Sequence, residues 1–220
     1  MSLSLYKKKR NFLQTPEPAE SAKEAWQSRF VVQKHNATRL HYDFRLELAG
    51  VLKSWAVPKG PSMNPTEKRL AVMVEDHPVS YIHFEGVIPK GNYGAGTVKV
   101  WDKGNFMPIN EKSEPVSEKQ ALKNLKVGEL KILVNGKKIK GEFVLVRLKN
   151  DDKNWLLIKH RDEYAKDEIS EKPAKKKVAR KSSIKKKTPR LIHQARGFSL
   201  WKNYFFRTSR MAWAIPAVSS

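Results

Sequence analysis

The segment QKHNATRLHYDFRLEL, residues 33–48, holds side chains that could bind a metal ion and a phosphate group. If RLHYDFRLEL is a strand, alternation places His41, Asp43 and Arg45 on one face and an apolar row on the other. His35 lies just upstream, before a predicted bend at NAT, and could converge with His41 and Asp43 on one cation. Imidazole is a borderline ligand, so this set suits Mn, Fe or Zn better than Mg or Ca.

Two enzymatic chemistries and one non-catalytic function are compatible with these residues. The set resembles the facial triad of non-haem Fe(II) oxygenases, and it equally suits metal-assisted hydrolysis of a phosphate ester. Arg45, Lys59, Arg69 and Lys90 favour a multiply charged phosphate over a small organic acid. A β-barrel that only binds nucleic acid is the third alternative, but it leaves the histidines and Asp43 unexplained.

Two further motifs have both a functional and a structural interpretation. His77 stands at a His-Pro pair where a strand is predicted to end, so it is either a phosphate contact or proton donor, or a turn residue. IPKGNYGAG, residues 88–96, resembles a phosphate-cradling loop but lacks the G-x-x-x-x-G-K-[ST] pattern. Its glycines could equally serve a turn.

The net charge of +22 makes a polyanion, first of all nucleic acid, the expected partner. A solubilising surface is the alternative. Residues 171–220 hold 14 of the 44 Lys and Arg residues and one of the 22 Asp and Glu residues. We therefore predict a domain over residues 1–170 and a basic, mostly disordered linker or tail over residues 171–220. The absence of Cys excludes disulfides and thiolate metal sites.

The fold is predicted to be mainly β, because short segments rich in β-branched and aromatic residues alternate with turn residues. One helix is predicted at residues 117–125, capped by Ser117 with Gln120 three positions on. Asn135-Gly136 indicates a two-residue hairpin. We expect a closed or nearly closed β-barrel or sandwich with one or two short helices. The predicted strands are residues 29–33, 40–48, 52–58, 70–75, 81–86, 97–101, 129–134, 142–148 and 155–159.

Six motifs in this order resemble the 3'-phosphoesterase domain of bacterial ATP-dependent DNA ligase D, a protein of non-homologous end joining. They are KRNFLQTPEP, FVVQKHNATRLHYDFRLEL, LKSWAVPKGPS, VEDHPVSYIHFEG, IPKGNYGAGTVKVWD and WLLIKHRDEYA. The resemblance covers about residues 6–165. It implies a compact β-barrel with a Mn²⁺ site, for which Zn²⁺ or Co²⁺ could substitute. Such a domain removes a 3'-terminal ribonucleoside and then the 3'-phosphate, which leaves a 3'-hydroxyl.

The resemblance also implies roles for individual residues. It assigns the metal to His35, His41 and Asp43, and contact with the scissile phosphate to Arg45 and His77. The further positions that it places around the site are Tyr81, Arg10, Glu17, Gln33, Lys59, Arg69 and Glu75. Structural alternatives are a core position for Tyr81 and a local pair between Glu75 and Arg69.

We predict a segment over residues 1–28 that contacts the end of the substrate. The resemblance implies that Arg10 and Glu17 in this segment serve the ribonuclease step. Arg10 and Glu17 match the family there, but KRNF replaces the commoner KRDF. Asn11 has no negative charge, so we expect ribonucleoside removal to be weaker relative to phosphate removal than in relatives with Asp.

The expected substrates are DNA 3' ends, on a primer-template or duplex, that carry a 3'-phosphate or a 3'-ribonucleotide. Expected partners are an end-joining ligase or polymerase and end-binding proteins, with no membrane. The sequence has no K-x-D-G segment, so we do not expect it to ligate DNA itself. We expect the protein in the bacterial cytoplasm, associated with the nucleoid.

Overall fold

The computed structural model describes residues 3–20 and 25–166. The predicted domain boundary near residue 170 and the tail of residues 171–220 lie outside this part of the chain. The strands are β1 (Arg29–Asn36), β2 (Leu40–Leu48), β3 (Val51–Val57), β4 (Lys68–Met73), β5 (His77–Pro78), β6 (Gly86–Ile88), β7 (Gly96–Ile109), β8 (Glu129–Asn135), β9 (Lys140–Arg147) and β10 (Asn154–Lys159). The helices are α1 (Ser4–Lys8), a 3-10 helix (Val79–His83) and α2 (Glu118–Val127).

Eight of these strands form a closed antiparallel barrel, as the sequence predicted. The order around the barrel is β1-β2-β3-β4-β10-β9-β8-β7, and pairing of β1 with β7 closes it. The 14-residue strand β7 makes closure possible, because it pairs with β1 over most of its length and with β8 at its end. β5 adds to β3, and β6 adds to β7, outside this ring.

The apolar row of β2 faces the barrel interior, as predicted, but its first member, Leu40, is 45% exposed. Phe44, Leu46 and Leu48 are buried there with Trp55 of β3 and Trp155 of β10. No helix in the part of the chain that the structure describes is long and apolar enough to cross a membrane.

A second apolar cluster covers part of the outer face of the barrel. Val31 belongs to this cluster, whereas its neighbours Phe30 and Val32 belong to the interior one, so the two clusters lie on opposite faces of β1. Tyr6 of α1 and Tyr81 of the 3-10 helix are buried members of the outer cluster. Because of this cover, polar side chains on the outer face of β1, β2 and β3 are shielded from water.

Two local features around the outer cluster differ from the sequence predictions. Residues 81–86 were predicted as a strand, but residues 79–83 form the 3-10 helix and only Gly86 pairs, in β6. Val79, Tyr81 and Ile82 are all buried, a spacing that a helical turn satisfies and strict strand alternation does not. The amino-terminal helix α1 was not predicted either.

Helix α2 confirms the one predicted helix. The Ser117 hydroxyl oxygen accepts a hydrogen bond from the backbone N–H of Gln120 at 3.3 Å. The helix ends at Gly128, which adopts φ of 111°, a left-handed conformation that favours glycine.

The β8–β9 hairpin is present, but its loop is not the predicted two-residue turn. Asn135 pairs with Lys140, so residues 136–139 form a four-residue loop. Asp102 of β7 explains the difference, because its buried carboxylate accepts backbone N–H groups from Lys137, Lys138 and Ile139, each at 2.9 Å.

We predict that Asp102→Ala lowers the free energy of unfolding by about 3 kcal/mol, because three backbone donors lose a charged acceptor. Denaturation by urea checks this. Asp152→Ala, at an exposed position, serves as the control and should change stability by less than about 0.5 kcal/mol. Equal stability of the two variants would contradict the role given to Asp102.

Candidate metal centre and buried arginine network

His35, His41 and Asp43 form one group on the outer face of the β1–β2 hairpin. The strand register places His35 directly opposite His41, and Gln33 opposite Asp43. One ligand atom from each of the three residues lies within 4.8 Å of the others. His35 Nδ1 is 3.5 Å from Asp43 Oδ2, and His41 Nε2 is 3.7 Å from Asp43 Oδ1. The predicted convergence of these three side chains is therefore observed.

Backbone carbonyls determine which nitrogen of each imidazole is available as a ligand. His35 Nε2 donates to the Gly94 carbonyl oxygen at 2.9 Å, and His41 Nδ1 donates to the Arg39 carbonyl oxygen at 2.9 Å. In a neutral imidazole, the nitrogen that donates to a carbonyl carries the proton, so the other ring nitrogen has a free lone pair. Both free lone pairs belong to the nitrogens that face Asp43.

The glycine-rich loop between β6 and β7 holds His35 in this orientation. Gly94, which provides the carbonyl, has φ of +77°. Gly96 passes so close to the hairpin turn that an added Cβ would lie 2.5 Å from the Asn36 carbonyl oxygen. The loop therefore supports the ligand hairpin, and any contact with phosphate remains a prediction.

Asp43 is ionised because its neighbours outweigh its burial. Burial disfavours the charged carboxylate, but the Arg45 guanidinium holds the pKa of Asp43 below its usual range. Arg45 Nη2 donates to Asp43 Oδ2 at 3.0 Å.

Arg45 is buried, and three hydrogen bonds fix the position of its guanidinium. Its Nε donates to Gln33 Oε1 at 2.8 Å, and its Nη1 donates to Ser54 Oγ at 2.9 Å. Gln33 is held in turn, because its amide donates to two backbone carbonyls. The Tyr81 ring lies 4.9 Å from the guanidinium carbon. Since these bonds use three of the five N–H groups of the guanidinium, it retains donors in a fixed position.

A second buried arginine, Arg10, lies at the centre of a neighbouring network. Its Nε donates to Glu17 Oε1 at 2.9 Å, and its Nη1 donates to Glu75 Oε1 at 2.9 Å. The Tyr81 hydroxyl donates to the same Glu17 oxygen at 3.0 Å. Because the Tyr81 ring also contacts Arg45, Tyr81 joins the two arginine sites. Glu75 also accepts from Lys9, so it pairs with Lys9 and Arg10 rather than with Arg69.

His77 is a neutral, buried acceptor in this network. Its Nδ1 donates to the Glu75 carbonyl oxygen at 2.9 Å, so its Nε2 accepts from Arg10 Nη2 at 3.1 Å. Burial, together with the charges of Arg45 and Arg10, lowers the pKa of His77 well below its ordinary value. This environment does not favour a proton donor.

The structure brings together ten of the twelve predicted site residues. The other two, Lys59 and Arg69, have no hydrogen bond or ion pair to the group within residues 3–20 and 25–166. Lys59 is exposed after β3, and Arg69 pairs with Glu67. Sequence reasoning missed Ser54 and Lys9. Alternation along β3 could have found Ser54, because it lies opposite Arg45 in the strand register.

The donor set fits a divalent transition metal. Two imidazole nitrogens and one ionised carboxylate converge, and each imidazole is oriented by a carbonyl, as metal-ligating histidines are. The surrounding ion pairs are balanced, with three cations facing three carboxylates, so a bound dication would add net positive charge. These groups are Lys9, Arg10, Arg45, Asp43, Glu17 and Glu75.

The fold and this group define a β-barrel protein with a candidate metal centre beside a buried arginine network. Residues 33–147 match the family described as the DNA ligase D 3'-phosphoesterase domain. The chain belongs to this family, as the sequence motifs predicted.

Similar proteins include three that are named as multifunctional non-homologous end joining proteins. The chain is 46% identical to LigD of Pseudomonas aeruginosa over 181 residues, which is 78% of this chain and 20% of that protein. It is 41% identical to LigD of Mycolicibacterium smegmatis over 165 residues, with 73% and 21% covered, and 40% identical to LigD of Mycobacterium tuberculosis over 168 residues, with 76% and 20% covered. The chain therefore spans about one fifth of the length of these relatives.

We predict that the His77 ring stays neutral in the folded protein at pH 6. In the unfolded chain the ring titrates near 6.5, so below that pH the unfolded state takes up a proton that the folded state does not. His77 therefore lowers the free energy of unfolding as the pH falls below about 6.5, by at most about 1.4 kcal/mol per pH unit. The ring nitrogen chemical shifts of His77 in an NMR titration check this, and a protonated ring at pH 6 would contradict it.

Proposed function

We propose that this protein is a metal-dependent DNA 3'-end phosphoesterase that removes a 3'-terminal ribonucleoside and a 3'-phosphate to leave a 3'-hydroxyl. One observation carries the proposal: the lone pairs of two oriented imidazoles and the Asp43 carboxylate converge directly beside the fixed Arg45 guanidinium. A metal site and a rigid cation at this spacing suit a phosphate ester. Membership of the 3'-phosphoesterase family supports the same conclusion.

In this proposal His35, His41 and Asp43 hold Mn²⁺, with Zn²⁺ or Co²⁺ as substitutes. When bound, the ion supplies Lewis-acid polarisation of a phosphoryl oxygen. Asp43 contributes in two ways, since it is a ligand and also fixes Arg45 through Nη2. The family match and the donor chemistry support the site, and the choice of Mn²⁺ rests on the resemblance.

Arg45 is proposed to bind the scissile phosphate and to stabilise the charge that develops on it. Gln33, Ser54 and Asp43 hold its guanidinium before substrate arrives, so little reorganisation is needed during the reaction. Loss of one donor in comparable electrostatic sites costs roughly 10²–10³ in rate.

His77 and Tyr81 are proposed to act through the second arginine. The neutral His77 ring accepts a hydrogen bond from Arg10 Nη2, and Glu17 accepts one from Arg10 Nε. The Tyr81 hydroxyl donates to Glu17 and so holds that carboxylate in place. A guanidinium held in this way can bind a second phosphate oxygen or the 2'-hydroxyl of a terminal ribonucleotide. We assign the selectivity for the ribonucleoside reaction to Arg10 and Glu17.

Lys59 and Arg69 are proposed to contact DNA away from the reacting phosphate, because both lie apart from the buried network. The relatives are named as multifunctional end-joining proteins, and this chain spans about a fifth of their length. We therefore propose that ligase, polymerase and end-binding activities come from other polypeptide segments. A DNA substrate would place the activity in the bacterial cytoplasm, at the nucleoid.

We predict that His41→Ala lowers the rate of 3'-phosphate removal by more than about 100-fold, because losing only a supporting group of a metal ligand already costs 10–100-fold. The assay follows a primer-template with a 3'-phosphate or one 3'-ribonucleotide on a gel, with Mn²⁺, Mg²⁺, Zn²⁺ or chelator. His160→Ala is the control, since His160 pairs with Glu142 on another strand. DNA binding without turnover with any metal would refute the enzyme and favour a non-catalytic binder.

Asn11→Asp is predicted to raise ribonucleoside removal several-fold relative to phosphate removal. Asn11 is exposed, and its Oδ1 accepts from the Leu13 N–H at 3.2 Å, a bond that Asp can keep. The substitution therefore adds charge next to Arg10 without changing the turn. An unchanged ratio of the two rates would contradict this prediction.

Glu17→Gln should lower the rate of ribonucleoside removal selectively, because Glu17 fixes the Arg10 guanidinium. The same gel assay measures both rates. An equal loss of rate in both reactions would refute the role of Glu17.

A further inference from the structure

A basic and aromatic surface lies on the opposite face of the β1–β2 hairpin from the metal group. Tyr42 of β2 is opposite Lys34 of β1, and Lys34 is opposite Lys99 of β7, so the three form one row across the barrel wall. Tyr42 lies between His41 and Asp43 in the chain, and it packs with the interior cluster rather than the outer one. The row therefore faces the open end of the barrel. We call it, together with Leu40, Trp101 and Lys138, the mouth surface.

The centre of the mouth surface is apolar. The rings of Tyr42 and Trp101 meet edge to face with centroids 5.5 Å apart, and both are partly exposed. Leu40, on the same side of β2, is 45% exposed. The ammonium group of Lys138 lies 4.6 Å over the Trp101 ring.

The rim of the mouth surface carries three lysines. Lys34, Lys99 and Lys138 are exposed, and none has an ion pair with any carboxylate among the described residues. Like charges directly opposite each other across two strands are destabilising, so the Lys34 and Lys99 pair has an electrostatic cost in the free protein. Bound phosphate groups would relieve that repulsion.

We propose that the mouth surface binds the unpaired 5' overhang of the complementary strand while the 3' end of the other strand enters the metal centre. This inference rests on the proposed function. An apolar centre within a basic rim suits unpaired bases between backbone phosphates, because bases present their faces only when they are unpaired. The hairpin turn at residues 37–39 then lies between the two strands of the DNA end.

The test measures binding in chelator, so that no turnover is needed. A fluorescent 3'-phosphate primer is annealed either to a template of equal length, which gives a blunt end, or to a template with a 5' overhang of roughly ten nucleotides, within the range of single-strand sites. The wild-type protein should bind the overhang substrate more tightly, and Lys34→Gln with Lys99→Gln should lose about tenfold of that gain. The slope of log K against the logarithm of the salt concentration should become shallower by about 1.4, which corresponds to two phosphate contacts on a single strand.

The control is Lys119→Gln with Lys123→Gln on α2, which lies near the β2–β3 turn, at the other end of the hairpin strands, where Glu118 contacts Ala49. It removes the same charge and should retain the overhang gain. The Lys34 and Lys99 variant should be no less stable to heat than wild type, because it removes a repulsion. An equal loss of the overhang gain in the two double variants would overturn the proposal, because it would show that only the net charge of the protein matters.

Photo-crosslinking locates the strand directly. Iodouracil in the overhang should crosslink to Tyr42 or Trp101, and iodouracil near the primer 3' end should not. The reverse pattern would overturn the inference even if hydrolysis is normal. The expected crosslinks without hydrolysis by any metal would support the mouth surface and refute only the proposed chemistry.

Discussion

The Asp43 carboxylate is the point at which the metal group and the cationic network meet. One of its oxygens accepts from Arg45 and also lies near His35, and the other faces His41. A buried carboxylate is costly without partners, so its ionisation depends on the Arg45 guanidinium. The bond from Arg45 also fixes the carboxylate between the two imidazoles. The spacing between the candidate metal group and the guanidinium is therefore determined by one side chain.

The barrel provides the rigidity that this arrangement needs. The candidate metal ligands and Arg45 lie on the paired strands β1 and β2, whose hydrogen bonds hold the side chains in register. The amino-terminal segment and the 3-10 helix then cover the outer face and bury Arg10, Glu17 and Tyr81. Buried ion pairs of this kind contribute little net stability, because desolvation offsets their attraction. Their benefit is that they hold a set of hydrogen-bond donors in fixed positions. The folding free energy that stabilises this arrangement comes from the apolar core.

Strand alternation explains why much of this site was predictable. It placed His41, Asp43 and Arg45 together and opposite the core row, and the bend before Leu40 brought His35 to them. It could not show that the polar row is buried, because the covering residues come from distant parts of the chain. The Gly94 carbonyl that orients His35 is 59 residues away, and Arg10 reaches His77 across 67. The four-residue loop at Asn135 was missed for the same reason, since Asp102 imposes it from another strand.

The amino-terminal segment reaches the site without joining the barrel sheet. Residues 3–20 form no strand, and they are attached through side chains such as Tyr6, which is buried in the outer apolar cluster, and Arg10, which donates to Glu75 Oε1 at 2.9 Å. Substitutions there can change the second arginine network and leave every strand pairing intact. Arg10 and Glu17 are thus encoded in a stretch of the chain that contributes no strand to the barrel. The residues around Arg10 can therefore vary among members of the family without any change in the strands that carry His35, His41 and Asp43.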